Sequence, residues 1–136
     1  MVKSKFSIAL HIMTILAHNK DEWHTSAFIA GSLNINAVLV RNEIKTLKTG
    51  GLIESKEGKN GGVRLAQDAN KILLSTIFKI AKGDNHVLGF CSNTPNPNCP
   101  IGRQIQSKLD NIFISVDDAI IESLNKQTLE SFKNQF

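Results

Sequence analysis

The chain has no tyrosine, and aromatic residues make up only 6% of it. This argues against a single-strand binder that stacks successive bases on aromatic platforms. Two cysteines in 136 residues are too few for the disulfide framework of a small secreted scaffold. No apolar run is long enough to span a bilayer, and no internal repeat is visible. No serine or aspartate pairs with His11, His18 or His24 at a spacing that marks a nucleophile and its base, so these read as surface or core histidines. Gly58, Gly61 and Gly62 lack the strand and lysine-bearing helix of a phosphate loop. The chain is therefore not expected to be an enzyme.

What remains is one domain, or one domain with an oligomerisation arm, and an apolar fraction of 41% supports a core. The net charge of +4 is unevenly placed. Residues 1–66 hold nine Lys and Arg against five Asp and Glu, whereas residues 67–136 hold seven of each. The excess positive charge thus sits wholly on the first half, as expected of a phosphate binder. The balanced second half suits contacts with a protein partner.

The first half has a readable order. Residues 1–17 open with two lysines and an apolar run, but Ser7, His11 and Thr14 interrupt it, and Phe6, Ala9, Met13 and Leu16 recur with helical period. A first core helix over 4–17 is the reading, rather than a signal peptide. After the polar loop 19–22, Trp23 or His24 should pack beside the entry to a second helix over 26–33, capped by Thr25 or Ser26. Asn34-Ile35-Asn36 is a turn, because asparagine tolerates the left-handed conformation and also caps the next helix. In that third helix, up to Thr49, Ala37, Val40, Ile44 and Leu47 should face inward, and Val38, Arg41, Asn42, Lys45 and Thr49 outward. Gly50-Gly51 leads to a strand over 52–55, a glycine-rich loop over 56–62 and a return strand over 63–66.

Two helices, a tight turn between them, and a basic two-stranded wing form a device for reading duplex DNA. The plainer alternative is a three-helix core closed by a hairpin. Small, polar and basic outward positions favour DNA. Val38, Arg41 and Asn42 are expected at base edges, Val38 offering methyl contact to thymine. Ser26, Asn36, Lys45, Lys59, Asn60 and Arg64 complete the expected DNA-binding set, chiefly through phosphates.

Beyond the polar bridge 67–71, a helix starting near Ser75 should bury Ile77, Phe78 and Ala81 and end at Gly83. Residues 84–100 hold all three prolines, four asparagines and both cysteines, and read as a loop. Pro100 suits the first position of a long helix with Cys99 at its cap. Ile101, Ile105, Leu109, Ile112, Val116 and Ile120 form one stripe of that helix, widened by Phe113, Ala119, Ile121 and Leu124. This is more apolar face than one small domain covers. One side is expected on the first helix, the other across a two-fold axis. Thr128 should cap a last short helix carrying Leu129 and Phe132.

With these pieces in order, the chain resembles the Rrf-two family of bacterial transcription regulators, which includes iron–sulfur and nitric-oxide sensors. The resemblance rests on Ile29, Ala30, Leu33 and Ile35, on LKTGGLIES at the end of the third helix, and on the glycine-rich wing ending NGGVRLA. It continues through Gly83 and the cysteine loop to NPNCPIGRQIQ, where it looks most like the cluster-free, YwnA-like branch. It implies a winged helix-turn-helix homodimer with the long helices crossing at the interface. Some members place an arginine where this chain has Glu57.

Cluster-binding relatives carry three cysteines in this loop, whereas Cys91 and Cys99 stand here alone, with seven residues between them. Two thiolates cannot complete an iron–sulfur site unless His86 or a partner residue adds a ligand, so neither a cluster nor a metal is expected. A thiol switch is the sharper reading. Cys99 at a helix start is favoured as thiolate, with Cys91 as resolving partner. The bland reading makes Cys99 a buried cap and Cys91 a packed hydrophobe. A small effector held between this loop and the winged domain is a third.

The chain is thus expected to be mainly α with a two-stranded β-wing, divided into a DNA-binding domain (1–83), a sensor loop (84–99) and a dimerisation and C-terminal helix segment (100–136). The expected function is that of a cytoplasmic, homodimeric, sequence-specific repressor of transcription that binds double-stranded DNA without a cofactor and responds to oxidant or a small effector. The alternatives are a winged-helix interaction dimer that ignores DNA, an iron–sulfur sensor, and, more distantly, a thiol oxidoreductase.

Overall fold

The computed structural model describes residues 2–89 and 94–136. Helix α1 spans Val2–His18 and supplies the centre of the core, with Ala9, Ile12, Met13 and Leu16 sealed from solvent. Phe6 lies at the margin, its ring edge-on to Phe78 with centroids 5.6 Å apart. Helix α2, Ser26–Leu33, begins where Thr25 Oγ1 accepts the Phe28 N–H at 3.1 Å. It ends at Asn34, whose φ of 54° is left-handed. Helix α3, Ala37–Thr49, starts where Asn36 Oδ1 accepts the Val38 N–H at 2.7 Å. Both caps satisfy amides that a helix cannot bond internally.

Strands β1, Ile53–Lys56, and β2, Gly62–Leu65, pair antiparallel with Ile53 opposite Leu65 and Lys56 opposite Gly62. This is the expected hairpin displaced by one residue. The Leu52 N–H is spent on the Leu47 carbonyl at 3.1 Å, closing α3, so the strand proper begins later. The wing is also wider than two strands. His24 exchanges both backbone bonds with Val63, at 2.9 and 2.8 Å, and joins as a third edge. Gly62 makes that approach possible, because a Cβ there would lie 2.4 Å from the His24 carbonyl oxygen, at a φ of +146°.

A 3-10 turn at Ala69–Lys71 leads to α4, Leu74–Lys82, which buries Leu74, Ser75, Ile77, Phe78 and Ala81 and stops at Gly83 with φ of 59°. The long helix α5, Ile105–Leu124, starts later than its apolar stripe predicts. Residues 97–104 are turns. Glycine weakens a helix by about 1 kcal/mol relative to alanine, and the Gly102 backbone is pressed against Asn96, where a Cβ would meet the carbonyl oxygen at 2.5 Å. Cys99 therefore heads a separate turn rather than the long helix. A further correction concerns what α5 covers: it packs chiefly on α4, not on α1. Helix α6, Leu129–Lys133, capped by Thr128, is held to the core by Leu129, whose N–H bonds the Ile72 carbonyl at 2.7 Å. Among the described residues no helix is long and apolar enough to cross a membrane.

Candidate nucleic-acid interface

Helix α3 has two chemically distinct sides. Val40, Ile44 and Leu47 are buried, each worth roughly 1.5–3 kcal/mol on transfer from water, and they fix the roll of the helix. Val38, Arg41, Asn42, Lys45 and Thr49 are all exposed, as their positions predict. Glu43 is the inner-face residue that sequence reasoning missed. The residue is 5% exposed, its Oε1 lies 3.9 Å from the Lys5 ammonium, and its Oε2 is unpartnered among the described residues. Burial pushes its pKa up from 4.5, and Lys5 only partly opposes this. Its position, three after Val40 and four before Leu47, was the available signal.

The other expected DNA-binding residues fall into two groups. Lys59 and Asn60 are exposed at the tip of the wing, where Gly58 at φ 91° and Asn60 at φ 65° turn the chain, and Glu57 beside them is exposed too. Ser26 is half-buried in the first turn of α2, and the Asn36 side chain is occupied by its cap. Arg64 stands apart from the tip. Its Nε donates to Glu54 Oε1 at 2.5 Å across the strands, and its guanidinium lies 4.2 Å from the Trp23 ring centroid. Such a stack is worth about 0.5–1 kcal/mol at an exposed site. Trp23 was expected only as a packing residue beside the second helix, and Glu54 and Lys48 were not singled out from sequence. Lys48 Nζ donates to Ser55 Oγ at 2.6 Å and ties the end of α3 to the wing.

The loop after α4 is fastened to α5 by Asp117, the one buried residue of that helix. Its Oδ2 is 2.6 Å from His86 Nδ1 and 3.8 Å from Lys82 Nζ, and its Oδ1 accepts the Val87 N–H at 3.1 Å. Cys91 lies outside the described residues. Cys99 is half-buried, and its sulfur accepts the N–H groups of Gly102 and Ile101, which hold its pKa below the ordinary 9.0. Two cavities, of about 880 and 560 Å³, lie beside the wing base and along α1. Neither is lined by a described residue of the 84–99 loop.

The sequence and the fold both have known counterparts. The model of the Rrf2 family, described as an iron-dependent transcriptional regulator, matches residues 2–135. The chain is 33% identical over 134 residues to YwnA of Bacillus subtilis (strain 168), named a candidate HTH-type transcriptional regulator, with 98% of each chain covered. A solved candidate DNA-binding protein is 31% identical, with a TM-score of 0.70 over 93% of this chain and 96% of that one. CymR (YrzC), the global cysteine regulator of B. subtilis, shares the fold at a TM-score of 0.70 and 21% identity, over 97% and 95% of the two chains. These relatives are transcriptional regulators, not enzymes. Among the described residues no three His, Cys, Asp or Glu side chains converge to hold a metal ion.

Proposed function

The chain belongs to the Rrf2 family of transcriptional regulators, and on that premise we propose that it is a homodimeric, sequence-specific DNA-binding repressor. The observation that carries this reading is the outer side of α3. Five residues there, Val38, Arg41, Asn42, Lys45 and Thr49, are polar, basic or small and all stand clear of the core. A helix so exposed beside a wing with Lys59 and Asn60 at its tip fits the major groove with the wing on flanking backbone.

In this reading Val38, Arg41 and Asn42 meet base edges, and Ser26, Lys45, Lys59 and Asn60 meet phosphates. Asn36 acts by fixing the start of α3. Arg64 serves the site from behind, holding Trp23 and Glu54 against the root of the wing. Residues 1–83 form the DNA-binding domain, 84–99 the sensor loop and 100–136 the dimerisation segment. The dimer forms through α5, whose apolar stripe is left without a buried member in one subunit. Two such subunits read half-sites about 34 Å apart. Control by the Cys91/Cys99 thiols is supported by the lowered Cys99 pKa, and a cytoplasmic location follows from the role.

The competing reading is an interaction dimer that ignores DNA. Titrating salt against binding to random duplex separates the two. Phosphate neutralisation gives a steep negative slope of log affinity against log salt. An interaction module gives no binding and no slope.

A further inference from the structure

The first turn of α3 offers chemistry that the rest of its outer side does not share. Val38 and Leu39 are neighbours, 51% and 50% exposed, whereas the outward residues farther along the helix are Arg41, Asn42 and Lys45. Ala37 and Val40 on either side pack on the core, and Leu39 does not. The backbone N–H groups of these two residues are already occupied. Asn36 Oδ1 takes the Val38 N–H, and the Asn36 carbonyl takes the Leu39 N–H at 3.1 Å. What Val38 and Leu39 can present to a base pair is therefore hydrocarbon. In the major groove the only alkyl group on a standard base edge is the 5-methyl of thymine.

We propose that Val38 and Leu39 together form an apolar reading edge for thymine 5-methyl groups, which makes Leu39 a specificity-determining residue that periodicity alone did not single out. Adjacent helical residues differ by 1.5 Å along the axis and are turned by 100°, so the two side chains splay and meet methyls on neighbouring base pairs. The inference rests on the reading that α3 enters the major groove.

The test uses the tightest-binding duplex recovered from a random-sequence pool, resynthesised with deoxyuridine replacing each thymidine in turn. Uracil differs from thymine only by the missing methyl, and pairing is kept. One or two positions per half-site should lose about four-fold in affinity, the worth of one buried methyl. Leu39→Ala should remove the loss at one of them and Val38→Ala at the other, with both variants melting like the parent because both side chains are exposed. Selective binding that is indifferent to uracil at every position overturns the inference and leaves the DNA reading standing. A uracil effect that persists unchanged in both variants also overturns it. Absence of selective binding to any duplex overturns the DNA reading itself, and this inference with it. The uracil arm needs only the unmutated protein, so a variant that fails to fold does not leave the question open.

Discussion

Asp117 receives His86 Nδ1 at 2.6 Å and is the only buried residue of the twenty-residue helix α5. A carboxylate is costly to bury unless it is paired and bonded, and this one takes the imidazole, the Val87 amide and the nearby Lys82 ammonium. The arrangement fastens the segment beyond Gly83 to the helix proposed to carry the dimer. Asp117→Ala should cost about 1–3 kcal/mol in urea unfolding and speed amide exchange at residues 86–89. Exchange unchanged from the parent would mean that the loop is held by something else.

The outer side of α5 gives a second expectation. Its apolar stripe contains no buried residue in the single subunit, and Ile112 is 55% exposed. A stripe of this kind at helical spacing is stable when a second copy covers it. Ile112→Glu should convert a dimer to a monomer in sedimentation velocity without loss of helical signal. A monomeric parent protein would remove the dimer from the account.

Glu43 gives an expectation with a definite sign. Burial raises its carboxyl pKa in the folded chain, so the folded state binds the proton more tightly than the unfolded state does. Stability from this group is fully present below the unfolded value of about 4.5 and declines as pH rises through the raised folded value. Glu43→Gln, which keeps the neutral shape, should match the parent near pH 4 and be the more stable protein at pH 7. A difference that does not change with pH would contradict this.

The thiol reading has its own test. With its pKa held down by two backbone N–H groups, Cys99 should be alkylated by iodoacetamide at neutral pH faster than a free cysteine in solution. After mild oxidant, mass spectrometry should show a Cys91–Cys99 link accompanied by altered DNA binding. Cys99→Ser should abolish both. A Cys99→Ser protein that responds to oxidant like the parent would remove the switch.

Much of this arrangement is legible in the sequence, for local reasons. Thr25 and Asn36 are capping residues because their short polar side chains reach the next turn, and both cap here. The period of Val40, Ile44 and Leu47 sets the roll of α3 and with it every outward position. What escaped depends on distant parts of the chain. Glu43 sits at helical spacing from Val40 and Leu47, but an acid at such a position is ordinarily read as solvent-facing, and what keeps it inside is Lys5 on α1. His24 becomes a strand edge through pairing with Val63, thirty-nine residues on. Arg64 faces Glu54 and Trp23 because of a strand register that a one-residue slip would have reversed. The late start of α5 comes from Gly102 meeting Asn96, a loop contact that outweighs the signal of the apolar stripe.

The central claim is that the outer side of α3 reads bases, and Arg41 tests it most directly, since it is exposed on that side and guanidinium is the commonest side chain to read guanine. Binding of Arg41→Ala should be measured on the selected duplex and on random duplex at one salt concentration, with Lys59→Ala alongside. The account predicts that Arg41→Ala loses about 1–3 kcal/mol on the selected duplex and little on random sequence, whereas Lys59→Ala weakens both alike. Equal affinities for parent and Arg41→Ala on both duplexes would contradict it.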